Sequence, residues 1–214
     1  SVAVAFTLFG VLMAIRLAFS AGVTIAGAER LVMLEKISLI NTLPISYRAQ
    51  IRAASGVADV TPANWVGGIY QDPKNFFANL AVEPESWMRT HPEFVVSDAQ
   101  KQAWLSDRTG AMVGVETAQR FGWKVGDRVP LTATIWQPKR GGQTWEFNIS
   151  GIYDGGDTVN KTQMFFHYEY LEENSALDAA VSWYVVKIAD PSHSVDLSHK
   201  FDEMFANSSF ETKT

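Results

Sequence analysis

The sequence predicts an α+β fold of two mixed α/β subdomains, the outer one split along the chain and a second, β-rich one inserted into it. A long membrane and stalk helix is expected to precede both. Three observations carry this expectation. Residues 1–28 are almost free of charge, with Arg16 alone among aliphatic, aromatic and small side chains. From residue 44 onward, stretches of period-2 alternation and stretches of helical periodicity follow one another. The stretch VGVETAQRFGWKVGDRVPL, Val113 to Leu131, reads as a strand end, a short amphipathic helix and a second strand joined by two glycine turns.

A chain of 214 residues that is 47% hydrophobic and 12% aromatic has globular composition and room for one large or two small domains. Its net charge of −5 and the lack of any basic cluster beyond Lys124/Arg128 and Lys139/Arg140 argue against a nucleic-acid partner. There is no cysteine, which excludes disulfides, a thiol nucleophile and thiolate metal sites.

Residues 1–28 admit three readings. A spanning helix needs about 20 mainly apolar residues, and the uninterrupted apolar run is Val2 to Ile15. A signal peptide over residues 1–22 would end near Ala18-Phe19-Ser20 or Ser20-Ala21-Gly22, and a buried core helix is the third option. The favoured reading is the outer half of a transmembrane helix, with Arg16 reaching toward the headgroups. Gly10, Ala14, Ala18 and Gly22 recur every four residues, small-xxx-small spacing that lets helices approach in lipid. Residues 29–43 then predict an amphipathic stalk helix, because Met33, Ile37 and Ile40 fall at spacings of four and three among charged residues.

Pro44 breaks that helix, and a short helix over 46–55 ends at Gly56. Residues 57–70 and 75–83 read as strands, with Pro62 and Gly67-Gly68 marking an edge or bulge. Pro84 and Pro92 mark a boundary, and Ser97 with Gln100 three residues later predicts a capped helix over 97–108. Strands follow at 129–137 and 144–153 around the Lys139-Arg140-Gly141-Gly142 turn, then a strand at 163–166 and a helix at 168–174. A strand at 182–188 and an amphipathic helix at 194–207 close the chain. This order assigns 44–86 and 180–209 to the outer subdomain and 87–179 to the inserted one.

No constellation carries chemistry. His91, His167, His193 and His199 lack ligand spacing and read as surface or half-buried side chains. Asp154 to Asn160 departs from a calcium loop, and there is neither a Gly-x-Ser-x-Gly elbow nor a phosphate-cradling loop followed by Lys-Ser/Thr. The seven tryptophans sit in strand and helix patterns, which points to core packing. No cofactor, metal or catalytic residue is therefore expected. The residues singled out are shape-forming: Gly114, Ala118, Phe121, Gly122, Gly126, Asp127 and Gly151.

Taken in order, Leu43-Pro44 with Gly56-Val57, Leu80 to Pro84, the Ala118-x-x-Phe121-Gly122-x-x-x-Gly126-Asp127 element and Phe147 to Ile152 resemble the periplasmic core domain of MacB/FtsX-type ABC transporter permeases. The resemblance implies a permease of the bacterial inner membrane, with residues 29–214 as an extracytoplasmic (periplasmic) domain of two subdomains carried between its first and second membrane helices. It further implies a cytoplasmic ABC ATPase, separate or fused, as partner, a second permease copy, and a periplasmic adaptor or substrate. Such systems handle lipoproteins, peptides or drugs or regulate cell-wall hydrolases, and they transmit nucleotide-driven motion outward through stalks. The later membrane helices and ATPase of a full permease are not in this sequence, which reads as a fragment of one.

Overall fold

The computed structural model describes residues 29–38, 40–140 and 142–214. The chain opens with strand β1 (Arg30–Glu35), the two-residue β2 (Leu43–Pro44) and helix α1 (Tyr47–Ala53). Strands β3 (Val57–Trp65) and β4 (Asn79–Val82) follow, then helices α2 (Pro84–Thr90) and α3 (Asp98–Ser106). Next come β5 (Gly110–Gly114), α4 (Val115–Phe121), β6 (Arg128–Thr132), β7 (Thr144–Tyr153), β8 (Met164–His167) and α5 (Tyr168–Asn174). The chain closes with β9 (Ala180–Val181), β10 (Trp183–Ile188), α6 (Ser194–Met204) and β11 (Thr212–Lys213).

Nine of the strands form one mixed sheet in the order β11-β1-β10-β3-β4-β8-β5-β7-β6, and β2 pairs with β9 beside it. Strands from residues 87–179 fill one contiguous half of that sheet, and the remaining strands fill the other. The two halves meet where β4 runs parallel to β8, Leu80 opposite Phe165. The far half also curls back on the first. Ile69, just beyond β3, exchanges both backbone hydrogen bonds with Thr132 of the edge strand β6, at 2.8 and 2.9 Å.

Helices cover both faces, which is why several central strands read as continuous apolar runs. In β8, Met164 and Phe166 join one apolar cluster and Phe165 the other; in β10, Tyr184 and Val186 part in the same way from Trp183 and Val185. The larger cluster includes Ile51 of α1, Ala118 of α4, Leu171 of α5 and Leu197 and Phe201 of α6. The smaller holds Trp87 of α2 and Trp104 of α3. Each fully buried Leu, Ile or Phe among them contributes about 1.5–3 kcal/mol of transfer free energy.

The described residues between 29 and 43 do not form the expected stalk helix. Their RLVMLE stretch is strand β1, paired antiparallel with β10 from Arg30↔Lys187 to Leu34↔Trp183 and with β11 at Leu34↔Lys213. The same residues satisfy period 2, with Met33 facing the larger cluster and Val32 and Leu34 packing on the smaller. Pairing on both sides of β1 outweighs a helical spacing that has no apolar surface to serve, since Ile37 and Ile40 stand 86% and 90% exposed. The proposed membrane helix, with Gly10, Ala14, Ala18 and Gly22, lies outside the described residues. Among the described residues no helix is long and apolar enough to cross a membrane.

Three strands are shorter than their β-forming composition predicts, β3 ending at Trp65, shortly before Gly68 N–H donates to Asn79 Oδ1 at 2.7 Å. Residues 75–78 are loop, with Asn75 Nδ2 donating to the Tyr70 carbonyl, and β4 begins only at Asn79. Strand β6 ends at Thr132; Ala133 N–H still bonds the Gln143 carbonyl in the β6–β7 register at 2.7 Å, and beyond it Trp136 Nε1 reaches the Trp65 carbonyl at 3.1 Å.

Ala179 carries φ +45 just ahead of β9, and its carbonyl accepts from Ile45 N–H at 2.7 Å. A left-handed backbone burdens any residue with a Cβ. Ala179→Gly is expected to stabilise the chain by about 0.5–1 kcal/mol, the relief of strain exceeding the added freedom of the unfolded state. A denaturation midpoint that stays put or falls would refute that account of the turn.

Candidate functional site

The glycine-rich element sits where β5, α4 and β6 join. Gly114 ends β5 so close to the neighbouring backbone that a Cβ there would lie 2.0 Å from the Lys161 carbonyl oxygen and 2.3 Å from its carbon. The close approach has a purpose: the Lys161 oxygen accepts from Glu116 N–H at 3.2 Å and Thr117 N–H at 3.4 Å. Two amides at the start of α4, which have no partner within the helix, are thereby satisfied. Thr117 Oγ1 adds a bond to the Thr162 carbonyl at 2.8 Å.

At the other end of α4, Gly122 takes the left-handed conformation, φ 70 and ψ 23, and Trp123 N–H donates back to the Ala118 carbonyl at 2.8 Å. That is the closure a glycine at a helix C-terminus permits. Gly126, at φ +95, donates to the Ile149 carbonyl; Ile149 N–H donates in return to the Asp127 carbonyl, each at 2.8 Å. Asp127 Oδ2 accepts from Lys124 N–H at 2.8 Å, so its carboxylate holds its own turn. Ala118 is buried, and Phe121 packs on Tyr70, Phe77 and Trp123 with ring centroids 4.9–5.6 Å apart. Gly151 lies on β7 opposite the register shift at Met112, whose Sδ a Cβ would meet at 2.7 Å.

The sequence-selected residues thus form one unit, Gly114 to Asp127, with Gly151 on the adjoining strand. What the unit does is hold a loop. Arg120 donates to the carbonyls of Phe76 and Lys74, both at 3.2 Å, and its guanidinium lies 4.9 Å over the Phe121 ring. Residues 70–77 are tied to α4 by these contacts and present Phe76 half exposed.

Two further arrangements escape sequence reasoning. Glu35 Oε2 accepts from Ile37 N–H, Ser38 N–H and Asn41 Nδ2 at 2.8–3.1 Å, shaping a loop whose two isoleucines face solvent. The second lies at the root of β1. Arg30, its side chain 4% exposed, donates to the Thr90 carbonyl at 2.7 Å and forks onto both oxygens of Glu93 at 2.9 and 2.8 Å. Burial raises the Glu93 carboxyl, but the Arg30 fork wins and holds it below the usual carboxylate range. His91 stacks on Trp87 with centroids 4.0 Å apart, and burial, reinforced by the Arg30 charge, holds its imidazole at about 4. Arg30 and Glu93 are 63 positions apart, and no local pattern links them.

His91 and His167 are buried rather than superficial; His167 Nε2 bonds the Trp104 carbonyl at 2.8 Å. Trp87, Trp104, Trp123, Trp145 and Trp183 are buried and Trp65 and Trp136 partly so, as core packing requires. Among the described residues no three His, Asp or Glu side chains converge as metal ligands would.

No protein-family profile and no curated protein sequence matches the chain. Solved structures do. The periplasmic region of MacB from Actinobacillus actinomycetemcomitans superposes with TM-score 0.60 at 10% identity, over 90% of this chain and 91% of that one. The extracellular domain of the ABC-type transporter YknZ from Gram-positive bacteria gives 0.59 at 13% identity, over 86% and 98%. A domain assigned to a permease of Porphyromonas gingivalis gives 0.53 at 14%, over 88% and 90%. At these identities what is shared is the arrangement of elements: the chain has the fold of the MacB periplasmic region and the YknZ extracellular domain.

Proposed function

We propose that the chain is the extracytoplasmic domain of an ABC transporter permease that couples ATP hydrolysis by a cytoplasmic partner to export, or to lipoprotein or peptide handling, outside the membrane. The observation that carries this reading is the near end-to-end likeness to MacB and YknZ, 86–90% of this chain on 91–98% of theirs. The placement of the outermost described strands supports it as well. The first and last described strands, β1 and β11, are neighbours at one sheet edge, Leu34 opposite Lys213, which suits a domain carried between two membrane segments. In this reading residues 1–28 are the end of the first membrane helix and residues 44–86 with 180–209 frame an inserted 87–179 module. The chain holds no catalytic centre of its own and works beside a second permease copy.

Purification of the full chain from native membranes is expected to bring an ABC ATPase with it. Recovery from the periplasm without an ATPase, with a mature amino terminus near Ser20, would replace this reading by that of a secreted binding protein or enzyme with residues 1–22 as its signal.

A further inference from the structure

We infer that the Arg30–Glu93 fork is a mechanical latch, delivering displacement of the segment before β1 to the 87–179 half of the sheet as well as to β10. The inference rests on the transporter reading for its purpose, and on the geometry alone for its existence. Arg30 opens the first described strand. On one side β1 is tied to β10 by the antiparallel ladder that begins at Arg30↔Lys187, with Ile188 N–H donating to the Glu29 carbonyl at 2.8 Å. These bonds engage only the first half of the sheet.

Arg30 is the exception. Its guanidinium crosses to the last residue of α2 and to the connection that leads into α3 and β5. The Thr90 carbonyl it grips is at a helix C-terminus, where the peptide dipoles favour a cation. The two-oxygen fork to Glu93 resists rotation as well as separation, which a single contact does not. Close by, Phe94 stacks on His91 and Phe165 with centroids 5.3 and 5.5 Å apart, and Val95 exchanges both backbone bonds with Asp154 at 2.9 Å. A pull on residue 30 therefore reaches the end of β7 through Glu93 without passing through β10, β3, β4, β8 and β5 in turn.

The chain lacks cysteine, so two introduced thiols give unique handles. In the full chain in detergent, Glu29→Cys and Asp157→Cys place the load between the residue preceding β1 and an exposed loop of the inserted half. Magnetic-tweezers extension of this parent is expected to show β1 and the inserted half yielding in one event. With Arg30→Met and Glu93→Gln together, chosen so that no buried charge is orphaned, β1 should part first, as a separate shorter step at lower force. A single event at the parent force would overturn the latch. Should the double substitution not fold, Arg30→Lys keeps the charge and loses the fork; the early step is expected there too, and its absence is equally decisive. The ATPase co-purification is independent of this outcome. An early β1 step without ATPase association keeps the latch and removes the transporter reading, and association with an unchanged single event does the reverse.

Discussion

Gly114→Ala yields a chain that fails to reach the native fold, while Gly122→Ala and Gly126→Ala fold with losses of about 1 kcal/mol each. The contrast follows from what each position meets. The new methyl at Gly114 would overlap the Lys161 carbonyl, backbone that cannot rotate away and that also caps α4. Moving it breaks the amide bonds from Glu116 and Thr117 together with the Gly114 bond to the Gln163 carbonyl. Overpacking typically costs 1–3 kcal/mol, and with several bonds lost about 4–5 kcal/mol is expected, comparable with the whole stability of a marginal domain. At Gly122 and Gly126 a Cβ has nothing within 4 Å, so only the positive φ is penalised. Chemical denaturation followed by tryptophan fluorescence ranks the three. A Gly114→Ala chain with a midpoint near those of the other two would mean that the β5–α4 corner tolerates what its geometry forbids.

Acid weakens the native chain by about 3 kcal/mol between pH 6.5 and 4, and His91→Gln removes most of that slope. The sign comes from proton counts. An unfolded imidazole takes its proton near pH 6.5, whereas the buried His91 takes one only at about 4, with Arg30, Lys187 and Glu93 as the charges that bear on it. In that window the unfolded state binds more protons, so the His91 contribution is whole above pH 6.5 and is lost as pH falls toward 4. His167, also lowered by burial, adds a remainder of the same sign. Asp59, Glu83, Glu93 and Asp107 are all held below their ordinary values despite burial, and their contributions disappear only below about pH 4.5. Stability measured at half-unit pH steps separates the two windows; an unchanged slope in His91→Gln would move the acid sensitivity elsewhere.

The parts of the fold legible in the sequence are those whose causes are local. Ser97 was readable as a helix cap because its partner is three residues on, and its hydroxyl accepts from Gln100 N–H at 3.3 Å. Helix α5 and strand β7 likewise carry their own periodicity over residues 168–174 and 144–153. Gly122 and Gly126 advertise positive φ by residue type alone. The fate of residues 29–43 was not legible, because RLVMLE fits either period and its partners are β10 and β11, at the other end of the chain. The site divides in the same way. Gly114 reads in the sequence as a strand-end residue of the shape-forming element, yet its importance comes from Lys161, and that of Gly151 from Met112 and Gln100, neighbours only in space. Arg30 stood beside an apolar segment as one more charge, and only the fold shows Glu93 and Thr90 waiting for it.

The position of β1 also dictates an order of assembly. Its last residue is Glu35, and the strand that flanks it along its length begins at Trp183. A ribosome needs about 7–30 s to make the roughly 150 residues between them. Through that time β1, the first described strand, waits with two open ladder edges while the central strands β4 to β8 have their partners already at hand. Closing so long a loop is slow, so the final folding step should be the docking of β1, and a chain interrupted before β10 should expose β1 as an adhesive strand to chaperones and to other copies of itself.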